Sequence, residues 1–428
     1  MREMKDSGIE WIGQIPVNWK IVPFMIFLDN IVNAIVDGPF GSDMKNEEYV
    51  DDGVPVIQLG AIKECWMDFS KMHFITNEKA DTLKRHNAYP KDIAIAKMMP
   101  AGKACEIPDT YTRYVVSADV IKASISNEYI RKYIIYALNS CATVQAEIES
   151  QGSTRSRVNI EKVKRFKLPC PVQDDIKQII IYLDKKCAEI DSAISDIQSQ
   201  IEALEEYKRS VITEAVTKGL DPDVELRDSG VQWIGKMPVH WDCQRGKYIL
   251  RYVQKPVRDD DGVITCFRDG EVTLRSNRRE EGFTIADKEI GYQGIDVGDL
   301  VVHGMDGFAG AIGISDSRGK ASPVLNVLDT EQNKRYIMYY LRSMAYNDVF
   351  VALATGIRVR SCDLRWNKLA ELLYPLPPVE EQKAIVEHID SVLERTNAII
   401  AEKKQQIETI EEYKKSLIFE YVTGKKEI

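Results

Sequence analysis

The stretch Val172–Gly219 reads VQDDIKQIIIYLDKKCAEIDSAISDIQSQIEALEEYKRSVITEAVTKG. Apolar residues fall at Ile176, Ile180, Leu183, Cys187, Ile190, Ile194, Ile197, Ile201 and Leu204, in steps that alternate four and three. That spacing is a heptad seam, which needs a partner helix along its length. No Pro or Gly interrupts it before Gly219, a natural stop. At 1.5 Å per residue the helix would run roughly 70 Å, longer than a globular domain of this size needs. Two readings fit this stretch alone: a dimerisation coiled coil, or a spacer that holds two domains a fixed distance apart.

A second copy, Pro378–Gly424, decides between them. Glu205-Glu206-Tyr207-Lys208-Arg209-Ser210 returns as Glu411-Glu412-Tyr413-Lys414-Lys415-Ser416, a spacing of 206 (411 − 205). The same spacing takes Ile180 to Val386, Leu183 to Ile389, Cys187 to Leu393, Ile194 to Ile400 and Leu204 to Ile410. The partner helix is therefore expected in the same chain. Thr396 and Lys403 stand at apolar slots of the first copy, where they set register or mark a splay.

A chain of 428 residues suffices for two or three domains with their own cores. No apolar run approaches the ~20 residues of a membrane span. Met1–Gln14 is charged and polar, unlike a secretory signal. The eight cysteines form no C-x-x-C pair, which suits a reduced, cytoplasmic protein without structural zinc. The net charge of −9 argues against nucleic acid only if the charge is evenly spread, and the two long helices carry much of the acid.

The rest of the chain also repeats. Asp6-Ser7-Gly8-Ile9-Glu10-Trp11-Ile12-Gly13, followed by Pro16 and Trp19, returns as Asp228-Ser229-Gly230-Val231-Gln232-Trp233-Ile234-Gly235, followed by Pro238 and Trp241. The tryptophans are expected to pack these segments onto the protein rather than to stack on bases. The organisation is then a repeat segment (1–21), a globular domain (22–171), a central helix (172–219), a second repeat segment (220–243), a second domain (244–377) and a C-terminal helix (378–428). In the first domain, β-type runs cover Val54–Leu59, Ile93–Ala96, Ala104–Ile107 and Tyr114–Val120, and a helix covers Asn127–Ser150. In the second, Asp299, Leu300, Val302 and Met305 answer Asp92, Ile93, Ile95 and Met98, and the helix Asn333–Leu353 answers Asn127–Ser150. Residues between the matched positions differ greatly, which suggests equal jobs on different targets. Each domain ends in a basic tail, Gly152 to Asn159 and Gly356 to Ser361, leading to a Pro-rich corner.

These residues resemble the specificity subunit (HsdS) of Type I restriction–modification systems. The resemblance is carried by Asp37-Gly38-Pro39-Phe40-Gly41-Ser42, by the two Gly-x-(x)-Arg-x-Arg tails, by Pro375-Leu376-Pro377-Pro378-Val379-Glu380-Glu381-Gln382, and by the paired helices ending Glu-Glu-Tyr-Lys. One departure is Pro169-Cys170-Pro171-Val172-Gln173-Asp174-Asp175 where the second copy has the fuller Pro377-Pro378-Val379-Glu380-Glu381-Gln382 form. The resemblance implies an α+β fold: two similar mixed α/β target-recognition domains separated by two long antiparallel coiled-coil helices, pseudo-twofold. It implies a DNA-binding subunit that reads a bipartite double-stranded site. Its expected partners are two methyltransferase (modification) subunits, with restriction/translocase subunits in the full complex, and no membrane. The competing readings are a specificity module of a related multi-subunit restriction or methylation system, and a coiled-coil tether that binds no DNA.

The chain is read as non-catalytic, with no cofactor and no metal. It has no Gly-x4-Gly-Lys-Ser/Thr loop and no Asn-Pro-Pro-Tyr/Phe motif, and its five histidines lack metal spacing. Gly307 to Gly313 is read as a tight loop, not a nucleotide cradle. For DNA contact, Arg155, Arg157, Arg358 and Arg360 are the positional candidates. Arginines two apart fall on one side of an extended segment, where they bridge phosphates or enter a groove. A solvated basic turn is the bland alternative, and the repetition favours DNA. Ser42 either donates to a phosphate or serves only the turn. For base reading, guanidinium suits guanine and an amide suits adenine. On that logic Gln58, Lys97 and Lys103 are candidates in the first domain, and Arg268, Arg275, Asn277, Arg278 and His303 in the second. For each taken singly, a structural role fits as well.

Overall fold

Both seams form single helices, Gln173–Lys218 of 46 residues and Val379–Val422 of 44. The structure is a computed structural model, and it describes residues 2–39, 43–98, 100–150, 157–278, 290–353 and 364–427. Two compact units divide the chain: residues 1–196 with 405–428, and residues 197–404. Each unit thus holds the first part of one long helix and the last part of the other. In the first unit Lys414 donates to Asp191 at 2.6 Å and the rings of Tyr182 and Tyr421 lie 4.5 Å apart. One number rises as the other falls, so the helices run antiparallel there. In the second unit Lys403 donates to Gln200 at 2.6 Å, while Ile212 and Val216 share a core with Ile385, Val386 and Ile389. Lys403 thus meets a polar partner at its seam slot. Thr396 stays buried and satisfies its hydroxyl on the Val392 carbonyl at 2.7 Å.

Each unit carries a four-stranded antiparallel sheet of the same strand order. In the first it is Ile35–Asp37, Val120–Ala123, Ile93–Ala96, Ala104–Glu106. In the second it is Leu250–Tyr252, Leu325–Thr330, Leu300–His303, Ile312–Ile314. The turn before the central strand is also repeated. Asp92 accepts from the Tyr89 N–H and Asp299 from the Asp296 N–H, both at 2.9 Å. The residues at the turn, Lys91 (φ 72°) and Gly298 (φ 84°), take the left-handed conformation. The expected run Tyr114–Val120 breaks in two. Tyr114–Val116 belongs to a second sheet, and the chain turns at Ser117 before Val120 starts its own strand. Gly38 packs on that turn so closely that a Cβ would lie 2.2 Å from the Ser117 carbonyl carbon. The second layer is where the units differ. The first unit has a four-stranded mixed sheet, His73–Ile75, Val54–Ile57, Tyr114–Val116, Asn87–Ala88. The second has two separate strand pairs, Ile264–Cys266 with Val272–Leu274 and Gln293–Ile295 with Gly319–Ala321.

A helix in each unit fastens the sheet to the long helices. It begins at an asparagine cap, Asn127 or Asn333. The Tyr133 hydroxyl is fully buried, 2.8 Å from the Val422 carbonyl and 3.0 Å from that of Pro169. Tyr336 does the same with Val216 at 3.1 Å and Pro375 at 3.0 Å. One turn on, Tyr136 with Lys132 holds Asp184, and Tyr339 with Arg335 holds Asp390. The repeat segments fasten the helix starts. Trp19 and Trp241 are buried, and their indole N–H groups donate to Asp175 at 2.7 Å and Glu381 at 3.0 Å. Asp175 therefore does the work of Glu381 despite the departure in sequence, and both acids complement a helix N-terminus. Among the described residues no helix is long and apolar enough to cross a membrane.

The two tyrosines give a stability test. Tyr133→Phe or Tyr336→Phe leaves two buried carbonyls without their phenolic donor, which should cost about 1–3 kcal/mol each. Scanning calorimetry should show a midpoint lower by several degrees for either variant, with secondary structure retained.

Candidate nucleic-acid interface

In the first unit the candidate residues gather where four segments cross. The turn after Ile93–Ala96 holds Lys97 at its start and Lys103 at its end, where the Lys103 carbonyl accepts from the Ala96 N–H at 2.8 Å. Lys103 is half-buried. The Ser117 N–H donates to the Ile57 carbonyl at 3.0 Å, which brings Gln58 to the same place. Gln58 is half-buried and donates to the Tyr49 hydroxyl at 3.4 Å. Arg157 is exposed and pairs with Asp119 at 2.8 Å, and the next N–H, of Val158, donates to the Lys97 carbonyl at 2.9 Å. Lys97 itself differs from expectation. It is 3% exposed, and its ammonium donates to Asp37 at 2.7 Å and to the Ala118 carbonyl at 2.8 Å. Burial of a long cation requires such partners, so its side chain is spent inside the protein. Ser42, Arg155, Arg358 and Arg360 lie outside the described residues.

In the second unit five candidates sit on one hairpin and one turn. The hairpin Ile264–Leu274 turns Ile264, Cys266, Val272 and Leu274 to a core and leaves Thr265 and Thr273 paired on its other face. Arg275 donates to Thr265 at 3.2 Å and Asn277 to Thr273 at 2.8 Å, so both lie on that polar face. Arg278 stacks over Phe267 at 4.2 Å and pairs with Asp269 at 2.8 Å and Glu271 at 3.0 Å. Arg268 pairs with Asp306 at 2.8 Å, beside His303. Gly270 at the tip has φ 91°, and its space is closed by Arg342, which donates to the Asp269 carbonyl at 2.7 Å. Asn139 holds the corresponding tip in the first unit through Cys65 and Ala104. Arg342 and Asn139 were not singled out in the sequence. They are 203 apart (342 − 139), like Tyr336 and Tyr133, whereas the long helices repeat at 206. The three-residue difference is nearly one helical turn, and it hid the match.

The electrostatics explain how so acidic a chain can present arginines. Arg157, Arg268 and Arg278 each hold an exposed or half-buried acid. Such pairs are worth about 0–1 kcal/mol, so a phosphate or a guanine edge can replace the carboxylate at little cost. The acids meanwhile keep the guanidinium groups aligned. Gly307–Ala309 is one short turn closed by Gly310 at φ 95°, a tight loop as read from the sequence.

The family model described as type I restriction modification DNA specificity domain matches residues 41–203 and 298–409. The chain is 21% identical over 430 residues to the putative type I restriction enzyme MjaX specificity subunit of Methanocaldococcus jannaschii, covering 97% of this chain and 95% of that one. It is 23% identical over 336 residues to the type I restriction enzyme MjaVIII specificity subunit of the same archaeon, covering 73% and 74%. Its fold matches a chain from a structural study of complex assembly and conformational transition of the type I R-M system, with TM-score 0.63, 12% identity and coverage of 95% and 98%.

His303 supplies a local test. Its Nδ1 accepts from the N–H groups of Met305 at 3.2 Å and Asp306 at 2.9 Å, which leaves the proton of the neutral ring on Nε2. Burial, opposed by Asp306, holds its pKa below the ordinary histidine value. The folded turn therefore binds its proton later than the unfolded chain does. The stability it contributes is intact above about pH 6.5 and falls as the pH drops through the folded pKa. An NMR titration of the ring should show the lowered pKa, and His303→Gln should remove this part of the acid sensitivity.

Proposed function

The chain belongs to the type I restriction–modification DNA specificity family, and we propose that each of its two units reads one half of a bipartite site in double-stranded DNA. It is a specificity subunit without an active site of its own. It directs methyltransferase and restriction subunits, whose chemistry acts at the site that it selects. Residues 22–171 and 244–377 form the two recognition domains, and the long helices fix the gap between half-sites. Equivalent surfaces on the two repeats suit two modification subunits, because a repeated surface offers the same patch twice. A reduced cytoplasmic setting agrees with thiols that form no disulfide among the seven described cysteines.

One observation carries this reading. The two units share the four-stranded sheet and the return of the chain onto its central turn, Val158 to Lys97 and Leu364 to Gly304, yet their second layers are built differently. A common frame under unlike polar surfaces is what two readers of different sequences require. In the first unit Gln58, Lys103 and Arg157 are the proposed contacts, with Arg155 two residues before Arg157 in the sequence and Ser42 five residues after Asp37. In the second, Arg275 and Asn277 read from the hairpin face, Arg268, Arg278 and His303 from its tip and the adjoining turn, and Arg358 and Arg360 from the tail.

Methylation mapping in cells that express the chain with its methyltransferase should reveal a motif of two short halves separated by a fixed gap. Exchanging residues 22–171 for those of a relative should change one half and leave the other and the gap unaltered. A change in both halves contradicts the modular reading. Arg155→Ala with Arg157→Ala should weaken binding to all sequences and lower the salt slope by about 2. Titrations of the complex at several salt concentrations measure this, and an unchanged slope removes these arginines from the interface.

A further inference from the structure

The same crossing is held by unlike polar clamps in the two units. In the first, the Lys97 ammonium binds Asp37 and the Ala118 carbonyl. Its backbone N–H donates to the Asp119 carbonyl at 2.9 Å, and its carbonyl accepts from the Val158 N–H at 2.9 Å. One residue thus ties together the Asp37-Gly38-Pro39 segment, the turn at Ser117–Asp119 and the return at Arg157-Val158. In the second unit Gly304 takes that backbone place, donating to Val324 at 2.7 Å and accepting from Leu364 at 2.8 Å. A side chain there is obstructed, because a Cβ would lie 2.9 Å from the Val324 carbonyl oxygen. Asn326 holds the return instead. It is 5% exposed and donates to the Val302 carbonyl at 3.1 Å and the Leu364 carbonyl at 3.0 Å. Strand register matches Asn326, opposite Val302, with Ile121, opposite Ile95. The first unit therefore has lysine on the turn and isoleucine in the strand, and the second has glycine on the turn and asparagine in the strand.

We propose that Lys97 with Asp37 in the first unit, and Asn326 in the second, are positioning residues for half-site recognition that set the return segments without touching DNA. This rests on the reading that each unit recognises one half-site. Lys97 cannot reach a groove without abandoning a buried pair, and stranding either charge is costly. Its effect on recognition must pass through the segments it binds: Arg157, through Asp119 and Val158, and the segment that opens at Asp37.

The test is a double-mutant cycle in the complex with its methyltransferase subunits. Binding is measured to duplexes carrying the complex's own methylation motif and to duplexes with single substitutions in either half. Lys97→Met and Asp37→Asn should each weaken binding roughly tenfold and reduce discrimination in the first half-site only. The double variant should be no weaker than the worse single variant, because both remove one pair. Lys97→Arg, which keeps the cation, should restore most of the affinity. Additive losses, or Asp37→Asn with unaltered binding, would make Lys97 a direct contact and overturn the proposal. Asn326→Leu should relax the second half-site only. It keeps the proposal open to refutation if the Lys97 and Asp37 variants do not fold, since a folded Asn326→Leu complex with unaltered discrimination overturns it. A parent complex without any specific binding would instead sink the half-site reading itself.

Discussion

A buried phenol hydroxyl, bonded to the last turn of a helix that begins in the other repeat, is what each unit depends on. The final carbonyls of an α-helix have no partner within the helix. Tyr133 meets the carbonyl of Val422, and Tyr336 meets that of Val216, each together with a proline carbonyl of the strand that leads into the opposite helix. At the starts of the long helices, Trp19 and Trp241 bind the first-turn acids Asp175 and Glu381. Each unit therefore contains one helix start gripped by a tryptophan and one helix end gripped by a tyrosine. Without the exchange of helix ends, the tyrosine grip would lack its helix carbonyl and the apolar seam would face water.

Recognition is laid over this frame by an economy of charge. The chain is acidic overall, and its exposed arginines at the proposed interfaces are held by carboxylates such as Asp119, Asp306 and Asp269. Pairs of this kind are weak in water and orient the guanidinium before any ligand arrives. On the proposed interfaces a phosphate would exchange one anion for another rather than fill an unmatched cationic patch, which would disfavour indiscriminate binding to DNA. Sequence preference must come from the parts that differ: a continuous mixed sheet in one unit, and a threonine-faced hairpin with its arginine-capped tip in the other.

Much of this was legible beforehand. The heptad spacing named both helices, and their common spacing of 206 placed the partner helix in the same chain. The strand at Ile93–Ala96 appears with its predicted bounds, since four successive residues with no polar interruption suit a strand buried on both faces. Tyr114–Val120 read as one strand because its apolar character is nearly continuous. The break at Ser117 comes from the approach of Gly38, a residue 79 positions away (117 − 38). Periodicity carries no information about such a distant neighbour.

By itself the sequence determined the repeat, the two long helices, the tryptophan packing and the family to which these features belong. All of these follow from local spacing or from comparison of one half of the chain with the other. Tertiary structure alone decided which basic residues face outward. Lys97 and Lys103 are six residues apart (103 − 97) on one turn, yet the first is buried against Asp37 while the second stays half-exposed. A lysine and an arginine look alike on paper whether they meet solvent or a buried acid. The choice depends on segments brought together from Asp37, Ser117 and Val158, and on the high cost of burying a charge without a partner.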